Sequence, residues 1–293
     1  MVTGLIILLI ILIVVLNNTI IPYCTAGIGN RLRTIASCGV IAEEAGRKLR
    51  VYWDNKQMNG CLARLDELFE NEIEVIQLEE LNTLDDCAMC VEKYDADREN
   101  LEFGVPTLKN LTDKYGVKGK NGFNYSMNEK NIIVFNIQFL DNVSLEKSHL
   151  FLKKLKPIKK IQENIDKIIN DLNLSKNVVG IHARGSDFGV PVNFYIDKIN
   201  EFLKQNPNQK FFLSTEDKNY EKEIIKTFPN NILYRIKNHY IEKNNDLPWG
   251  HKSFSRDSEH VKEAIEDMYI LASTNIQIYH SLSTFCEIAR IIS

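Results

Sequence analysis

The second half of the chain alternates short apolar runs with amphipathic stretches, and this alternation constrains the fold more than any other feature of the sequence. Runs rich in β-branched and aromatic residues predict buried strands at 178–182, 211–214, 232–236 and 276–279. Apolar residues at helical spacing predict helices over about 194–204, 220–227, 258–272 and 284–292. Such alternation is typical of a parallel sheet that helices cover on both faces.

Polar side chains cluster directly after the predicted strands. They are His182, Arg184, Asp187, Glu216, Asp217, Ser281, Ser283 and Thr284. In an open parallel sheet, ligands bind outside the carboxyl ends of the strands. The guanidinium of Arg184 suits a phosphate or a carboxylate, because its planar fork holds such groups in a bidentate way. The alternative is that Arg184 pairs with Asp187 on a solvated loop.

The residues from Ser281 to Thr284 precede a predicted helix. Hydroxyl groups and backbone amides at the start of a helix are suited to holding a phosphate. Simple capping of the helix by Ser283 or Thr284 is the alternative interpretation.

The first half opens with a strand, a glycine-containing turn, a helix and a second strand, which is the start of a Rossmann-like half. The strands are expected at 19–24 and 49–53, and the helix is expected to begin at Asn30 as N-cap and to end at Gly46 as C-cap. The G-x-G of the turn lacks the third glycine of the dinucleotide fingerprint. Residues 82–130 are polar and aperiodic and are expected to form loops.

Arg31 and Arg33 fall in the first turn of this helix. Cations at a helix N-terminus oppose the helix dipole, so an anionic partner would explain them. Ordinary surface charges are the alternative.

Residues 2–16 form an apolar stretch without a charge, about 22 Å long as a helix. A cleaved signal peptide would show a basic start and a small-residue cleavage site, and neither is visible. A buried core helix is a second alternative. The all-round aliphatic character favours a short signal anchor, and therefore a single-pass membrane protein in a Golgi- or ER-like lumen or otherwise associated with a membrane.

Charge and motif content exclude several functional classes. A net charge of −3 gives no electrostatic argument for binding nucleic acid. Asp95 and Asp97 form a D-x-D that would suit a divalent cation, but it lies in a charged stretch without a preceding buried strand, which favours a solvated loop. Cys87 and Cys90 form a C-x-x-C without a second pair of ligands, so no zinc site is expected. The even number of cysteines, six, permits disulfides in an oxidising compartment.

Four motifs occur in an order that resembles the GDP-fucose fucosyltransferases of the nodulation and N-glycan core α-1,6 type. Residues 27–33 (GIGNRLR) resemble the G-x-G-N-R-L opening of that family, residues 182–187 (HARGSD) its H-x-R-R-T-D motif, and residues 212–217 (FLSTED) its F-L-A-T-D-D motif. The closing block R-x-x-E…A-x-x-D…S-S-x-F is matched by Arg256, Glu259, Ala264, Asp267 and residues 281–285. The resemblance covers nearly the whole chain from Thr19 onward.

The resemblance implies an α/β, GT-B-like fold in which two Rossmann-like domains with parallel sheets face a cleft, here preceded by the N-terminal hydrophobic helix. The expected bounds are 2–16 for the anchor, 18–157 for an acceptor-side domain and 158–293 for a domain that binds the nucleotide sugar. The implied activity is inverting, metal-independent transfer of fucose from GDP-fucose to a glycan or other hydroxyl acceptor, with no cofactor.

The family's site residues carry over to matching positions of this chain. His182 and Asp267 would contact the guanine base or position the loop that does, and Arg184 would bind the diphosphate and stabilise its developing charge. The other implied donor-site residues are Gly29, Asn30, Arg31, Arg256, Ser281, Ser283 and Thr284. The acceptor hydroxyl needs a general base, and the candidates are Asp187, Glu216 and Asp217.

Two residues depart from the family pattern. Gly185 stands where H-x-R-R has its second arginine, and Glu216 replaces the first aspartate of T-D-D. Arg256 is a candidate to supply the missing contact. Because R-G-S-D also resembles the peptide-O- and α-1,2-fucosyltransferases, the linkage stays open. The alternatives are a non-catalytic, membrane-anchored GDP-sugar-binding protein and a glycosyltransferase that uses another GDP-sugar. A sulfotransferase is disfavoured, because no basic phosphosulfate loop follows the first strand.

Overall fold

The computed structural model describes residues 18–55, 61–91, 106–119, 129–135, 138–185, 190–241 and 256–293. Their contacts divide the chain into two compact units. The first unit comprises Met1–Asp54 and Asn71–Lys154, and the second comprises Asn55–Glu70 and Leu155–Ser293. The segment Asn55–Glu70, although it lies in the first half of the sequence, therefore packs with the second unit.

The first unit contains a parallel sheet of six strands in the order β3-β2-β1-β6-β4-β5. The strands are β1 (Thr19–Cys24), β2 (Lys48–Trp53), β3 (Glu74–Val75), β4 (Cys87–Val91), β5 (Val117–Gly119) and β6 (Asn131–Phe135). The helices are α1 (Ile28–Ala45), α2 (Leu78–Leu81), α3 (Pro106–Tyr115) and α4 (Leu145–Lys153). Two successive residues of β1, Ile20 and Ile21, point to opposite faces of the sheet and belong to different apolar clusters. Both faces of the sheet are therefore buried.

The helix α1 ends where the sequence predicts, but it begins earlier than predicted. It ends as expected at Gly46, whose φ of 63° is left-handed and whose N–H donates to the carbonyl of Ala42. Its N-cap is Gly27 and not Asn30, so the predicted cap was wrong by three residues. The glycine leaves the first turn without a side-chain cap.

Residues 82–130 are not only loops, contrary to the prediction. They contribute β4, α3 and β5, of which β4 lies inside the sheet between β6 and β5. Four of the five residues of β4 are buried, so its sequence CAMCV shows no polar alternation. It also contains a single β-branched residue, which explains why neither of the usual strand signals appears.

The second unit contains a parallel sheet of four strands in the order β10-β7-β8-β9. The strands are β7 (Val179–Ala183), β8 (Phe211–Thr215), β9 (Ile232–Leu233) and β10 (Asn275–Tyr279). The helices are α5 (Lys159–Asp171), α6 (Val192–Gln205), α7 (Lys218–Thr227), α8 (Ser258–Ser273) and α9 (Thr284–Ile292), and a single 3₁₀ turn lies at Leu65–Glu67. The predicted alternation of the second half is confirmed, and with it the α/β class with parallel sheets.

The predicted single-pass membrane localisation is corrected by the structure. Within the described ranges, no helix combines the length and the apolar surface that crossing a bilayer requires. The helix α1 has 18 residues, but it carries Arg31, Arg33, Glu43 and Glu44. Residues 2–16, on which the anchor prediction rested, lie outside the described residues.

Packing between α1 and α4 gives a prediction about stability. A Cβ atom at Gly39 would lie within 2.6 Å of three ring carbons of Phe151. We therefore expect Gly39→Leu to lower the free energy of unfolding by about 1–3 kcal/mol, because the added side chain overpacks this contact. Denaturant titration measures the change.

Gly27→Ser is the matched control on the same helix. A Cβ at Gly27 meets no atom within 4 Å, and serine is a good N-cap residue, so stability should not fall. Adding Phe151→Ala to Gly39→Leu should cost less than the two separate losses together. Strict additivity of the two losses would contradict the proposed contact.

Candidate functional site

The predicted site residues of the second unit gather at the carboxyl edge of its sheet. There the strand order reverses at β7, since β8 pairs on one side of it and β10 on the other. His182, near the end of β7, lies in register with Ser214 of β8 and Tyr279 of β10. Crevices outside the carboxyl ends of strands at such a reversal are the usual ligand sites of open α/β sheets.

His182 connects the end of β7 to the start of α9. Its ring stacks on Phe285 at 4.8 Å, and its Nδ1 lies 3.0 Å from the hydroxyl of Ser283. That hydroxyl is the N-cap of α9 and accepts a hydrogen bond from the N–H of Cys286 at 3.2 Å. This hydroxyl can also donate its own proton to Nδ1, and in that arrangement the neutral ring carries its proton on Nε2.

Burial lowers the pKa of His182 to about 4, although the carboxylate of Glu216 opposes this effect. The nearby guanidinium of Arg184 acts in the same direction as burial. At neutral pH the site thus contains an uncharged imidazole. Such a group can donate one N–H to an anionic or carbonyl oxygen.

The start of α9 places backbone donors beside this imidazole. Ser283 is buried, Thr284 is the first residue of the helix, and Ser281 lies exposed in the preceding turn. The amides at a helix N-terminus point outward and carry partial positive charge, which favours an anion. Both functions considered for this stretch, capping and anion binding, are therefore compatible in one structure.

The backbone of Arg184 is fixed by a tyrosine. Its N–H donates to the hydroxyl of Tyr195 at 3.0 Å, and Tyr195 is fully buried on α6. Burial raises the pKa of Tyr195 to about 12, so the phenol stays neutral. The half-buried Arg184 is thus held directly after β7, next to His182.

The presence of glycine at position 185 is explained by its close contact with the side chain of Asp217. A Cβ atom there would lie 2.8 Å or less from three side-chain atoms of Asp217. Asp217 is itself the N-cap of α7, since its Oδ1 accepts from the N–H groups of Asn219 at 2.9 Å and Tyr220 at 3.3 Å. A side chain at position 185 would therefore require this cap to shift.

Glu216 forms an ion pair with Arg256. Its Oε2 lies 2.7 Å from Nη2 and 3.1 Å from Nε of the guanidinium. Glu216 and Asp217 thus have structural partners, whereas Asp187 lies outside the described residues.

Asp267 is a buried carboxylate that accepts three side-chain hydrogen bonds. Its Oδ2 accepts from Ser214 at 2.9 Å and from the ammonium of Lys237 at 2.6 Å, and its Oδ1 accepts from Arg235 at 2.5 Å. Burial alone would raise its pKa, but Lys237 and Arg235 outweigh that effect and hold the pKa at about 2.

Arg235 and Lys237 were missed by the sequence analysis. They lie just after β9, where the predicted strand 232–236 was expected to continue, and their side chains are 8% and 7% exposed. Cations at alternate positions of an apolar run are the signal that was available, because buried cations require carboxylate partners.

The predicted residues of the first unit have a different environment. Arg31 is fully buried, and it donates to the carbonyls of Ala26 at 2.7 Å and Cys24 at 3.2 Å. Its guanidinium also lies 4.7 Å from the ring centre of Trp53. Gly29 and Asn30 lie in the first turn of α1. Arg31 therefore braces the loop between β1 and α1, and a role of these three residues in ligand binding stays a prediction.

In the described ranges, no three His, Cys, Asp or Glu side chains are arranged to hold a metal ion. Asp95 and Asp97 lie outside those ranges. All six cysteines are free thiols, and five of them are buried.

No protein-family model and no curated protein sequence matches this chain. Solved structures do match it. The fucosyltransferase NodZ from Bradyrhizobium has a TM-score of 0.58 at 16% identity, over 93% of each chain. NodZ α-1,6-fucosyltransferase soaked with GDP-fucose has the same score and identity, over 94% of this chain and 92% of that one. POFUT1 in complex with GDP has a TM-score of 0.53 at 14% identity, over 94% of each chain. The resemblance inferred from the four motifs is therefore confirmed at the level of the fold, which is that of GDP-fucose fucosyltransferases.

The contact between Gly185 and Asp217 gives a second prediction. Gly185→Arg would restore the arginine of the family motif, but we expect it to displace the α7 cap and lower the free energy of unfolding by about 1–2 kcal/mol. Differential scanning calorimetry measures the change against Lys198→Arg, a substitution on the exposed side of α6. Equal stability of the two variants would contradict the steric explanation.

The buried imidazole gives a prediction about pH. The native pKa of His182 lies below the ordinary 6.5, so the unfolded chain takes up a proton that the native protein refuses. Stability should therefore fall as the pH drops from about 6.5 to about 4, by up to roughly 3 kcal/mol from this residue. His260 contributes in the same window, because burial lowers its pKa to about 4 as well.

Unfolding free energies measured between pH 7 and pH 4 test this linkage. His182→Gln should have a shallower slope than the wild-type protein. An unchanged slope in His182→Gln would show that the imidazole titrates normally.

Proposed function

We propose that the protein transfers a sugar, most specifically fucose, from a GDP-linked donor to a hydroxyl acceptor. The observation that carries this proposal is the junction of His182, Ser283 and the α9 N-terminus beside Arg184, at the point where the strand order reverses. It is supported by the fold, because the matching structures are fucosyltransferases in complexes with GDP or GDP-fucose.

The donor's diphosphate would bind at this junction. Arg184 supplies a permanent positive charge, the amides at the start of α9 supply neutral donors, and the Nε2–H of His182 supplies one more. As the bond between the sugar and the diphosphate breaks, negative charge grows on the leaving GDP. Donors that are already oriented stabilise that charge without reorganising. These groups would serve an inverting reaction that needs no metal ion.

The acceptor hydroxyl must lose a proton to a base. Glu216 is engaged with Arg256 and Asp217 caps α7, so we assign these two carboxylates to binding and folding. Asp187 is then the candidate base among the three acidic residues. Its exchange for asparagine should lower kcat and leave the Kd for GDP nearly unchanged.

A binding protein without transferase activity is the second candidate. The specific observation in its favour is Gly185, because Asp217 packs where a second side chain beside Arg184 would begin. A site with one cation fewer still binds a nucleotide diphosphate but stabilises the leaving group less.

The test of this function uses calorimetric titration with GDP and measurement of GDP release from GDP-fucose, both in the presence of EDTA. We expect Arg184→Ala to reduce turnover by about 100-fold, since one oriented cation at the leaving group is lost. Lys198→Ala is the control, because Lys198 is exposed on α6 and pairs with Glu201.

The outcomes separate the candidates. Binding of GDP without release from GDP-fucose, across a panel of glycan acceptors, would establish the non-catalytic alternative. Turnover by Arg184→Ala at the wild-type rate would remove this residue from the centre of the mechanism. Loss of activity in EDTA that added Mn²⁺ restores would overturn metal independence.

A further inference from the structure

The segment from Tyr234 to Ile241 is held to the second unit mainly by its charged side chains. It follows the two-residue strand β9 and forms neither helix nor strand over its described length. Arg235 and Lys237 point back into the unit and are almost fully buried. Burying a charge costs free energy unless the charge is paired, so the partners of these two cations determine how the segment is attached to the unit.

Among the residues that the structure describes, Arg235 bonds only to α8. It donates to the carboxylates of Glu266 at 2.8 Å and Asp267 at 2.5 Å, and to the carbonyl of Glu263 at 2.6 Å. These bonds fasten the segment to one helix. They reach no residue of β8 or of the turn that follows it.

Lys237 makes a different pair of bonds. Its ammonium donates to Oδ2 of Asp267 at 2.6 Å and to the carbonyl oxygen of Thr215 at 2.7 Å. Thr215 is the last residue of β8, and the next residue is Glu216, which holds Arg256. The ammonium therefore connects α8 to the backbone from which the Glu216–Arg256 ion pair projects.

The same turn has a second link to the segment. The N–H of Ile241 donates to the carbonyl of Glu216 at 2.9 Å, and Tyr240 donates its hydroxyl to Glu221 of α7 at 2.8 Å. Three groups of the segment thus donate to the β8 turn or to α7, and of these the Lys237 ammonium carries a charge. A charge-assisted bond to a carbonyl is stronger than a neutral one, so its loss should matter most.

We propose that Lys237 is a positioning residue of the active site, which sets the β8 turn and thereby the orientation of Glu216 and Arg256. The role of Arg256 in donor binding rests on the proposed function, whereas the mechanical link from Lys237 to the ion pair does not. Lys237 contacts no substrate in this proposal and acts through the Thr215 carbonyl.

Lys237→Met tests the proposal, with Lys176→Met as matched control. Lys176 also ties backbone carbonyls together, those of Ala272 and Thr274, and it belongs to the same unit. The dissociation constant for GDP should rise about tenfold in Lys237→Met and should stay within about twofold in the control. Thermal unfolding of both variants separates a loss of binding from a loss of folding.

A second measurement does not depend on GDP. The Nε–H of Arg256 is protected by Glu216, so its exchange with solvent in NMR spectra reports on the ion pair directly. We expect faster exchange in Lys237→Met, no change in Lys176→Met, and recovery in Lys237→Arg, whose guanidinium keeps the charge. Should Lys237→Met fail to fold, Lys237→Gln repeats the comparison with a side chain that still donates one bond.

The results distinguish two failures. If the wild-type protein does not bind GDP, the proposed function is wrong, and the exchange of Arg256 still decides the positioning role. If Arg256 exchanges equally in wild type and Lys237→Met, or if the Kd for GDP differs by less than twofold, Lys237 has only a structural role.

Discussion

The reversal of strand order at β7 is the constraint on which the chemistry of the second unit depends. Because β8 and β10 leave from opposite sides of this strand, the connections that follow them diverge and open a space beyond its carboxyl end. His182 and Arg184 reach this space from β7, and Ser283 reaches it from the connection after β10. Residues 101 positions apart in the chain, His182 and Ser283, thus form one hydrogen-bonded pair.

Two buried ionisable groups at this edge differ in charge at neutral pH, and their partners explain the difference. His182 is surrounded by a hydroxyl and an aromatic ring, which cannot compensate for desolvation of a positive charge, so it remains neutral. Asp267 meets two cations and a hydroxyl, so it remains charged although it is equally buried. The site therefore offers a neutral donor next to a balanced group of charges.

The sequence predicted what depends on local pattern. The alternation of the second half predicted its strands and helices, and the positions of His182, Glu216 and Ser283 after strands predicted that they lie at one edge of the sheet. Residues whose roles come from distant partners were not predictable in this way. The burial of Arg31 involves the ring of Trp53, which lies on the next strand, and the glycine at 185 depends on the cap of α7. Likewise β4 carries no polar alternation, because its neighbours cover both of its faces.

The packing around Gly185 also shows how the positive charge at this edge is distributed. A second arginine after Arg184 would displace the Asp217 cap of α7, and Arg256 is bound to a carboxylate that offsets its charge. Lys237 and Arg235 are offset in the same way by Asp267 and Glu266. A diphosphate at the α9 N-terminus would therefore meet Arg184 and the helix amides as sources of positive potential, and Arg256 would contribute to its binding in the orientation that the pair with Glu216 sets. The geometry of the Glu216–Arg256 pair, and hence the turn on which it is built, would then control how much of the Arg256 charge reaches a bound diphosphate.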